Sequence, residues 1–266
     1  MIQDNLNPNY FSGQGQVFIA KLLTFFGNPG PYFLSGNVPK FELKPNVERR
    51  KHKESQSGNR SVDKVQTTTK SMTLTMTIED IRKDNMALNL LGKKVTLASG
   101  SYTTGSPDTF PSGLLVGQYV KLQRPNVSAL SIVDSAGTPA TLTAGTHYAL
   151  RDSKHGVVEI LSLGSFVQPF KAAYTYGQVD VITAFEANDD DQYAIYFAGV
   201  NTEGTPDQAI GMDIYCAVFN AAELLALINE EQSSFDITAE VLRHPTKAAD
   251  ANFGGFARWL YIDANA

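Results

Sequence analysis

Alternation of apolar and polar residues is the main pattern along this chain, and it predicts β-strands. Over residues 71–78 the apolar members are Met72, Leu74, Met76 and Ile78, and the polar members are Ser71, Thr73, Thr75 and Thr77. Successive side chains of a strand point to opposite faces, so this strand would have one apolar face and one face of small hydroxyl groups. Residues 233–242 repeat the pattern, with Phe235, Ile237, Ala239 and Val241 on one side.

Seven further runs contain β-branched and aromatic residues typical of strands. They are residues 16–23, 37–43, 119–123, 147–150, 157–161, 192–198 and 209–219. A polar turn at 151–156 indicates a hairpin. Two short helices are expected, one beginning at 77–80 and running towards Leu91 before Gly92, the other over 221–229. The whole predicts a mainly β fold, a two-sheet β-sandwich or barrel with a flanking short α-helix and long loops.

The chain has 266 residues and no linker that forces a boundary, so it is expected to fold as one domain over 1–266. Three parts of that domain differ in pattern. Residues 1–15 are polar and weakly patterned, and they are expected to form an N-terminal arm that orders on assembly. Residues about 45–66 are expected to form a charged loop, and residues about 98–181 a β-rich elaboration.

Charge is distributed unevenly between that loop and the rest of the chain. The formal net charge is −5, yet residues 48–64 carry six cations against three anions, a net +3. The six cations are Arg49, Arg50, Lys51, Lys53, Arg60 and Lys64. A nucleic-acid-binding surface is normally basic, so the acidic total disfavours stable DNA binding.

A basic loop on an acidic body suits contact with another copy of the same chain, because the two surfaces are complementary. The alternative is a solvated hairpin without a partner. Two acidic runs are the candidate surfaces for the contact. They are Asp189, Asp190 and Asp191, and Glu230 and Glu231.

The sequence offers no motif that calls for enzymatic chemistry. The four histidines are dispersed, and the one cysteine, Cys216, lies on the apolar side of its strand, where it is expected to be a buried small hydrophobe. We therefore expect no catalytic residues, no metal site, no cofactor and no enzymatic activity. The enzymatic alternative would use His147 or His155 with Asp152 as an acid–base pair.

The order of these features resembles the major tail tube proteins of tailed bacteriophages, chiefly those with long non-contractile tails. The resemblance begins with Gly36-Asn37-Val38-Pro39 before a strand, then the charged residues 48–64, the Thr-rich strand 67–78 and the helix IEDIRKDNMALNLLG. It continues with YFAGVN at 196–201, a strand ending at Phe219, and AAELLALI followed by SSFDITAEVL. Residues 98–181 match least.

The resemblance implies a structural virion protein whose rings of six copies stack into the tail tube, the conduit for genome ejection. Its implied partners are further copies of itself, the tail terminator, distal tail and tape-measure proteins, and DNA that passes without specific binding; no membrane is implied. The tube would be assembled in the host bacterial cytoplasm and would end up in the virion tail. Ser71, Thr73, Thr75 and Thr77 would line the lumen, and the charged loop would reach the next ring.

Two alternatives stay open at this point. One is a secreted or virion-borne carbohydrate-binding or adhesin module, for which the aromatic content of 10% would serve sugar stacking. The other keeps the tube but places it inside a contractile tail or a related injection machine.

Overall fold

The computed structural model describes residues 10–188, 190–203, 208–222, 224, 226–230 and 232–262. Strands dominate these residues and the helices are short, so the predicted mainly β fold is confirmed. Within the described ranges, no helix has the length and apolar character needed to cross a membrane.

The elements follow one another in this order. The chain begins with β1 (Gly13–Lys21), β2 (Phe33–Leu34), β3 (Lys40–Lys53), β4 (Val62–Ile78) and helix α1 (Lys83–Asn89). It continues with β5 (Lys93–Leu97), β6 (Gly100–Tyr102), β7 (Asp108–Thr109), β8 (Tyr119–Lys121), β9 (Val127–Val133), β10 (Thr141–Leu142), β11 (Tyr148–Asp152), β12 (Val157–Ile160), β13 (Lys171–Tyr176) and β14 (Val179–Thr183). It ends with β15 (Tyr193–Asn201), β16 (Gln208–Phe219), β17 (Phe235–Val241), α2 (Pro245–Ala248) and β18 (Ala257–Ile262). All nine predicted strands are present, and the predicted hairpin joins β11 to β12.

The chain divides into two compact units. The first comprises the residues up to Lys94 and those from Ile182 onward, and the second comprises Val95–Val181. The second unit therefore covers almost the same residues as the expected elaboration, 98–181. A two-stranded ribbon of β5 and β14 carries the chain into the second unit and back.

A single eight-stranded antiparallel sheet forms the first unit, in the order β2-β1-β15-β16-β17-β4-β3. Strand β16 also pairs with β18 through its N-terminal half, while β17 takes its C-terminal end. Apolar side chains of β1, β15 and β16 share one core with those of β4 and β17. Leu74, Met76 and Ile237 belong to this core and are almost completely buried. The two sheets expected from the sequence are thus two halves of one continuous sheet.

The second unit has its own core and two small sheets. One sheet has the order β10-β9-β13-β6, with β7 also on β13, and the other has the order β11-β12-β8. Phe170, Ile132 and Ile160 are fully buried in this core. Strand β9 was missed in the sequence because its ladder with β13 shifts register and Ala129 has a positive φ of 52°, which breaks the two-residue period.

The first predicted helix exists but begins later than expected. Residues Thr77 and Ile78 belong to β4, and α1 has Arg82 at its N-cap without a side-chain hydrogen bond. It also ends at Asn89, two residues before the expected Leu91, and the Gly92 amide closes this end by donating to the Ala87 carbonyl at 2.7 Å. A Cβ at Gly92 would lie 2.1 Å from the Thr183 carbonyl oxygen, so only glycine fits there.

The second predicted helix is wrong for the part of 221–229 that the structure describes, where no residue is helical. The apolar run is shorter than the roughly 12 residues at which an isolated helix becomes stable. Leu227 and Ile228 also find no core there, since they are 82% and 97% exposed. A short helix not expected from the sequence, α2, has Pro245 in its first turn and His244 at its N-cap.

Candidate functional site

The charged segment is a paired β-hairpin. Strands β3 and β4 form one ladder that runs from the rung Lys40–Thr77 to the rung Lys53–Val62. We call the outer part of this hairpin, residues 44–71, the arm. All strand residues of the arm are exposed. The sequence suggested a loop because both faces of this ribbon are exposed to solvent. Such strands need no alternation of apolar and polar residues, which is the pattern that predicts a strand.

The arm presents cations on both faces. Alternation along β3 places Arg49, Lys51 and Lys53 on the side of the core residue Leu43, and Arg50 on the other side. Two register shifts, after Glu48 and after His52, interrupt the ladder. Such bulges bend a ribbon and increase its twist. Lys64 pairs with His52 on the ladder, and Arg60 lies in the tip with a positive φ of 48°.

The six arm cations make no ion pair within the described part of the chain. The ion pair that the arm does contain joins His52 Nδ1 to Asp63 Oδ1 at 2.7 Å. In the tip, the Glu54 carboxylate accepts hydrogen bonds from the Gln56 amide at 2.8 Å and the Ser57 amide at 2.9 Å. With the Ser57 hydroxyl these bonds lower the pKa of Glu54 to about 2. The tip is therefore organised by its own hydrogen bonds, while the six cations are exposed.

The hydroxyl residues of β4 lie on the face opposite the core, as predicted. Ser71 and Thr73 are exposed, and Thr75 and Thr77 are half-buried. The neighbouring strands add charges to this face, which sequence reasoning on β4 alone did not show. The rungs across β3, β4 and β17 are Lys40–Thr77–Asp236, Glu42–Thr75–Thr238 and Lys44–Thr73–Glu240. Thr77 donates a hydrogen bond to Asp236, so part of the hydroxyl column is already engaged.

The acidic candidates differ in availability. Asp191 is 14% exposed and forms an ion pair with Lys21 at 2.5 Å. Asp190 and Glu230 are exposed. Asp189 and Glu231 lie outside the described residues. Glu230 is therefore a better candidate than Asp191 for a contact with another copy.

A groove that the sequence did not reveal opens between the N-terminal half of β1 and the start of β3. Its volume is about 800 Å³. Its apolar lining includes Val17, Phe41, Leu43, Phe197, Met212 and Trp259. Phe41 stacks on Phe197 with ring centroids 5.6 Å apart. Among the described residues, β3 forms a ladder only with β4, and the second edge of β1 forms a ladder only at Phe18 and Ile19. That edge also accepts backbone hydrogen bonds at Val17, from Ser35, and at Lys21, from Gly30.

Two glycines make room for the Phe197 ring beside this groove. Gly15 and Gly199 are opposite each other on the β1–β15 ladder. A Cβ at Gly199 would lie 2.4 Å from the Phe197 ring, and one at Gly15 would lie 2.4 Å from the Ala198 carbonyl oxygen. Glycine inside a strand often marks a close approach of this kind, so these positions were the available sequence signal.

A family model matches residues 10–260, and the description of that family is "Protein of unknown function UCP028589". The chain belongs to this family. The match spans both compact units, so family members are expected to share the second unit and the hairpin. No match was found among curated proteins.

The acid–base pair considered in the sequence lies in the exposed turn between β11 and β12. His155 Nδ1 is 2.6 Å from Asp152 Oδ2, and the Asp152 carboxylate also accepts the Lys154 and His155 amides at 2.8 and 3.0 Å. These bonds lower the pKa of Asp152 and hold the turn. His147 Nδ1 accepts the Thr143 amide at 2.9 Å. The contact between His155 and Asp152 and the hydrogen bond to His147 are therefore both parts of local turns.

Other candidate chemistry can be placed as well. In the described ranges, no cluster of three His, Cys, Asp or Glu side chains could hold a metal ion. Cys216 is fully buried, as predicted, and burial raises the pKa of its thiol to about 11.

The second unit carries a cluster of tyrosines. Tyr102 lies 5.7 Å from Tyr176 and 5.1 Å from Tyr174 between ring centroids. The Arg124 guanidinium lies 5.5 Å from the centre of the Tyr176 ring. Tyr102 Oη donates to Gln123 Oε1 at 2.9 Å. Tyr174 is buried, and Tyr102 and Tyr176 are half-buried and pack against the core of this unit, so the cluster is only partly accessible.

Proposed function

We propose that this protein is a major tail tube subunit of a tailed bacteriophage, and that it builds a conduit for genome ejection from stacked rings of six copies. The observation that carries the proposal is the arm. It is a β-ribbon without a buried strand residue, and its six cations make no ion pair with the residues that the structure describes. An isolated two-stranded ribbon is marginally stable in water, so a partner would stabilise it.

The charge distribution supports another copy of the chain as that partner. Residues 48–64 carry +3 of a formal total of −5, which leaves −8 (−5 minus +3) on the other residues. The arm of one copy is thus attracted to the body of the next. Asp190, exposed on the body, supplies one anion for this contact.

The hydroxyl face of β4 supports the role of a conduit wall. Ser71, Thr73, Thr75 and Thr77 are uncharged and hydrophilic, and the rungs beside Thr73, Thr75 and Thr77 carry two lysines and three carboxylates. DNA is held mainly by cations that neutralise its phosphates. A face with more anions than cations lets DNA pass without retaining it.

The free edges of β1 and β3 support assembly as well. Unpaired strand edges invite pairing with another chain, and monomeric proteins normally protect them. The proposal assigns the protein a structural role in the virion tail, without catalysis, metal or cofactor. Its partners are other copies of the chain and the tail terminator, distal tail and tape-measure proteins.

Charge reversal in the arm tests this proposal. We expect the triple variant R49E/R50E/K51E to fold normally and to form no tubes in negative-stain electron microscopy, because its arm is repelled by the acidic body. The matched control K93E/K121E/K154E changes the net charge equally at exposed lysines outside the arm and should assemble normally. Tubes from the arm variant that equal those of the control would refute the docking role of the arm.

Carbohydrate binding is the second candidate function, and the tyrosine cluster around Tyr102 and Tyr176 favours it. A cluster of rings beside Arg124 and Gln123 offers stacking and hydrogen bonds to a sugar. Retention on polysaccharide resin that is lost in Tyr176→Ala would support this function. Equal elution of both proteins with the buffer front would argue against it.

A further inference from the structure

The connection between β16 and β17, residues 220–234, exposes apolar side chains that nothing in the described chain covers. Leu224, Leu227 and Ile228 are 75%, 82% and 97% exposed. The Ala222 amide donates to the Asn89 carbonyl at 3.1 Å, and the Ser233 hydroxyl donates to the Ala226 carbonyl at 3.3 Å. Exposed apolar groups of this size in one short segment indicate a contact surface.

The groove between β1 and β3 is the complementary surface on the same molecule. It offers about 800 Å³ of space with an apolar lining that includes Phe41, Met212 and Trp259. Its two walls are strand edges that, over residues 13–15 of β1 and 40–43 of β3, have no ladder partner among the described residues on this side. A groove with free strand edges accommodates an extended segment, whose backbone groups the edges can bond.

Charge and the number of exposed apolar side chains together favour the β16–β17 connection for this groove. Phe185, beside the acidic residues 186–191, is a single exposed apolar side chain, whereas the connection exposes three. Residues 220–234 contain three glutamates and no cation, whereas β3 carries six cations and two anions along the groove wall and the arm. Lys40 lies in the groove lining, and Glu230 lies two residues after Ile228. The turn after β1, which exposes Leu23 and Phe25, contains no charged residue over 22–32 and lacks this complementarity.

We propose that the β16–β17 connection of one copy inserts Leu227 and Ile228 into the groove between β1 and β3 of a second copy, with Glu230 facing the basic strand β3. The contact joins two different surfaces, so it is heterologous and generates a ring when the rotation closes. This inference rests on the proposed self-assembly and names one of its contacts. It differs from the arm contact, because it uses the core end of β3.

Mixed disulfide formation tests the contact directly. The variants Ile228→Cys and Leu43→Cys are purified separately, mixed and oxidised. Leu43 lies in the groove lining on the same side of β3 as Phe41, and the buried native Cys216 provides no competing thiol. We expect a mixed dimer from this pair. The matched control mixes Phe25→Cys, from the exposed uncharged turn, with Leu43→Cys and should give only background dimer.

A second measurement separates this contact from tube formation. We expect Ile228→Ser to raise the protein concentration required for assembly by about tenfold or more, the scale of a central interface residue, and Phe25→Ser to leave it unchanged. Tubes without a mixed dimer above the control would overturn the contact and leave the tube proposal standing. A mixed dimer without rings or tubes would support the contact and contradict the tube.

Discussion

The two ends of the β3–β4 hairpin share one ladder but differ in burial. At the inner end, Leu74, Met76 and Ile78 are fully buried and β17 extends the sheet. In the arm, all strand residues are exposed, and in the part of the chain that the structure describes β3 and β4 pair there only with each other. The inner end is held by its core, whereas the arm has the ladder alone.

This difference shows where the stability of each part originates. Full burial of a residue such as Leu or Met contributes about 1.5–3 kcal/mol, and the inner end has several such residues. The arm gains no comparable term within one molecule. The proposed function assigns the length and charge of the arm to a contact with another copy of the chain.

Removal of the arm should have the largest effect on assembly and little effect on the stability of the monomer. Residues 48–69 are replaced by Asn-Gly, which joins the paired residues Val47 and Lys70 through a tight turn. We expect the free energy of unfolding to stay within about 1 kcal/mol, because no strand residue that is removed is buried. We also expect assembly to disappear. Urea denaturation and electron microscopy measure the two effects.

A lower free energy of unfolding in the shortened monomer would contradict the claim that the arm does not stabilise a single molecule. Tubes from the shortened chain would contradict the assembly role instead. Urea denaturation and electron microscopy therefore test the two claims separately.

Single substitutions at the two ends of the hairpin should differ in how much they reduce the free energy of unfolding. Met76→Ala leaves a cavity in the core and should reduce the free energy of unfolding by about 2–5 kcal/mol. Val65→Ala, at a position 52% exposed in the arm, should change it by no more than about 0.5 kcal/mol. Urea denaturation of the monomer measures both. Similar losses at the two sites would show that the arm contributes to the fold of a single molecule.

The smallest expected effect is the loss of the Glu54 hydrogen bonds in the arm tip at low pH. The pKa of Glu54 in the folded tip is about 2, below its usual value of 4.5, so its bonds contribute fully above 4.5 and are lost as the pH falls through 2. Nuclear magnetic resonance of the Ser57 amide should show a transition near pH 2. Glu54→Gln should remove that transition. A midpoint near 4.5 in the wild-type protein would mean that the tip hydrogen bonds do not form in solution.

The inner sheet could be predicted from sequence because its residues obey a local rule. Met72, Leu74, Met76 and Ile78 alternate with hydroxyl residues, and β4 then follows from the period alone. The arm could not be recognised as strand by this rule, since neither of its faces is apolar. The sequence shows the charge of the arm directly, but it did not predict that β3 and β4 pair along the arm.

The groove and the acidic surface depend on residues that are distant in the sequence. Phe41 meets Phe197, and Lys21 pairs with Asp191 across 170 positions. No local pattern contains either contact. The helix expected over 221–229 failed for a related reason, because the apolar residues there have no core to pack against within the described chain.

Electron cryo-microscopy of the wild-type protein over a concentration series tests the central claim most directly. We predict hollow tubes or rings in which the arm of each copy lies on the acidic body of another. Particles that remain monomeric at the highest concentration, or tubes whose arms extend into solvent, would contradict it.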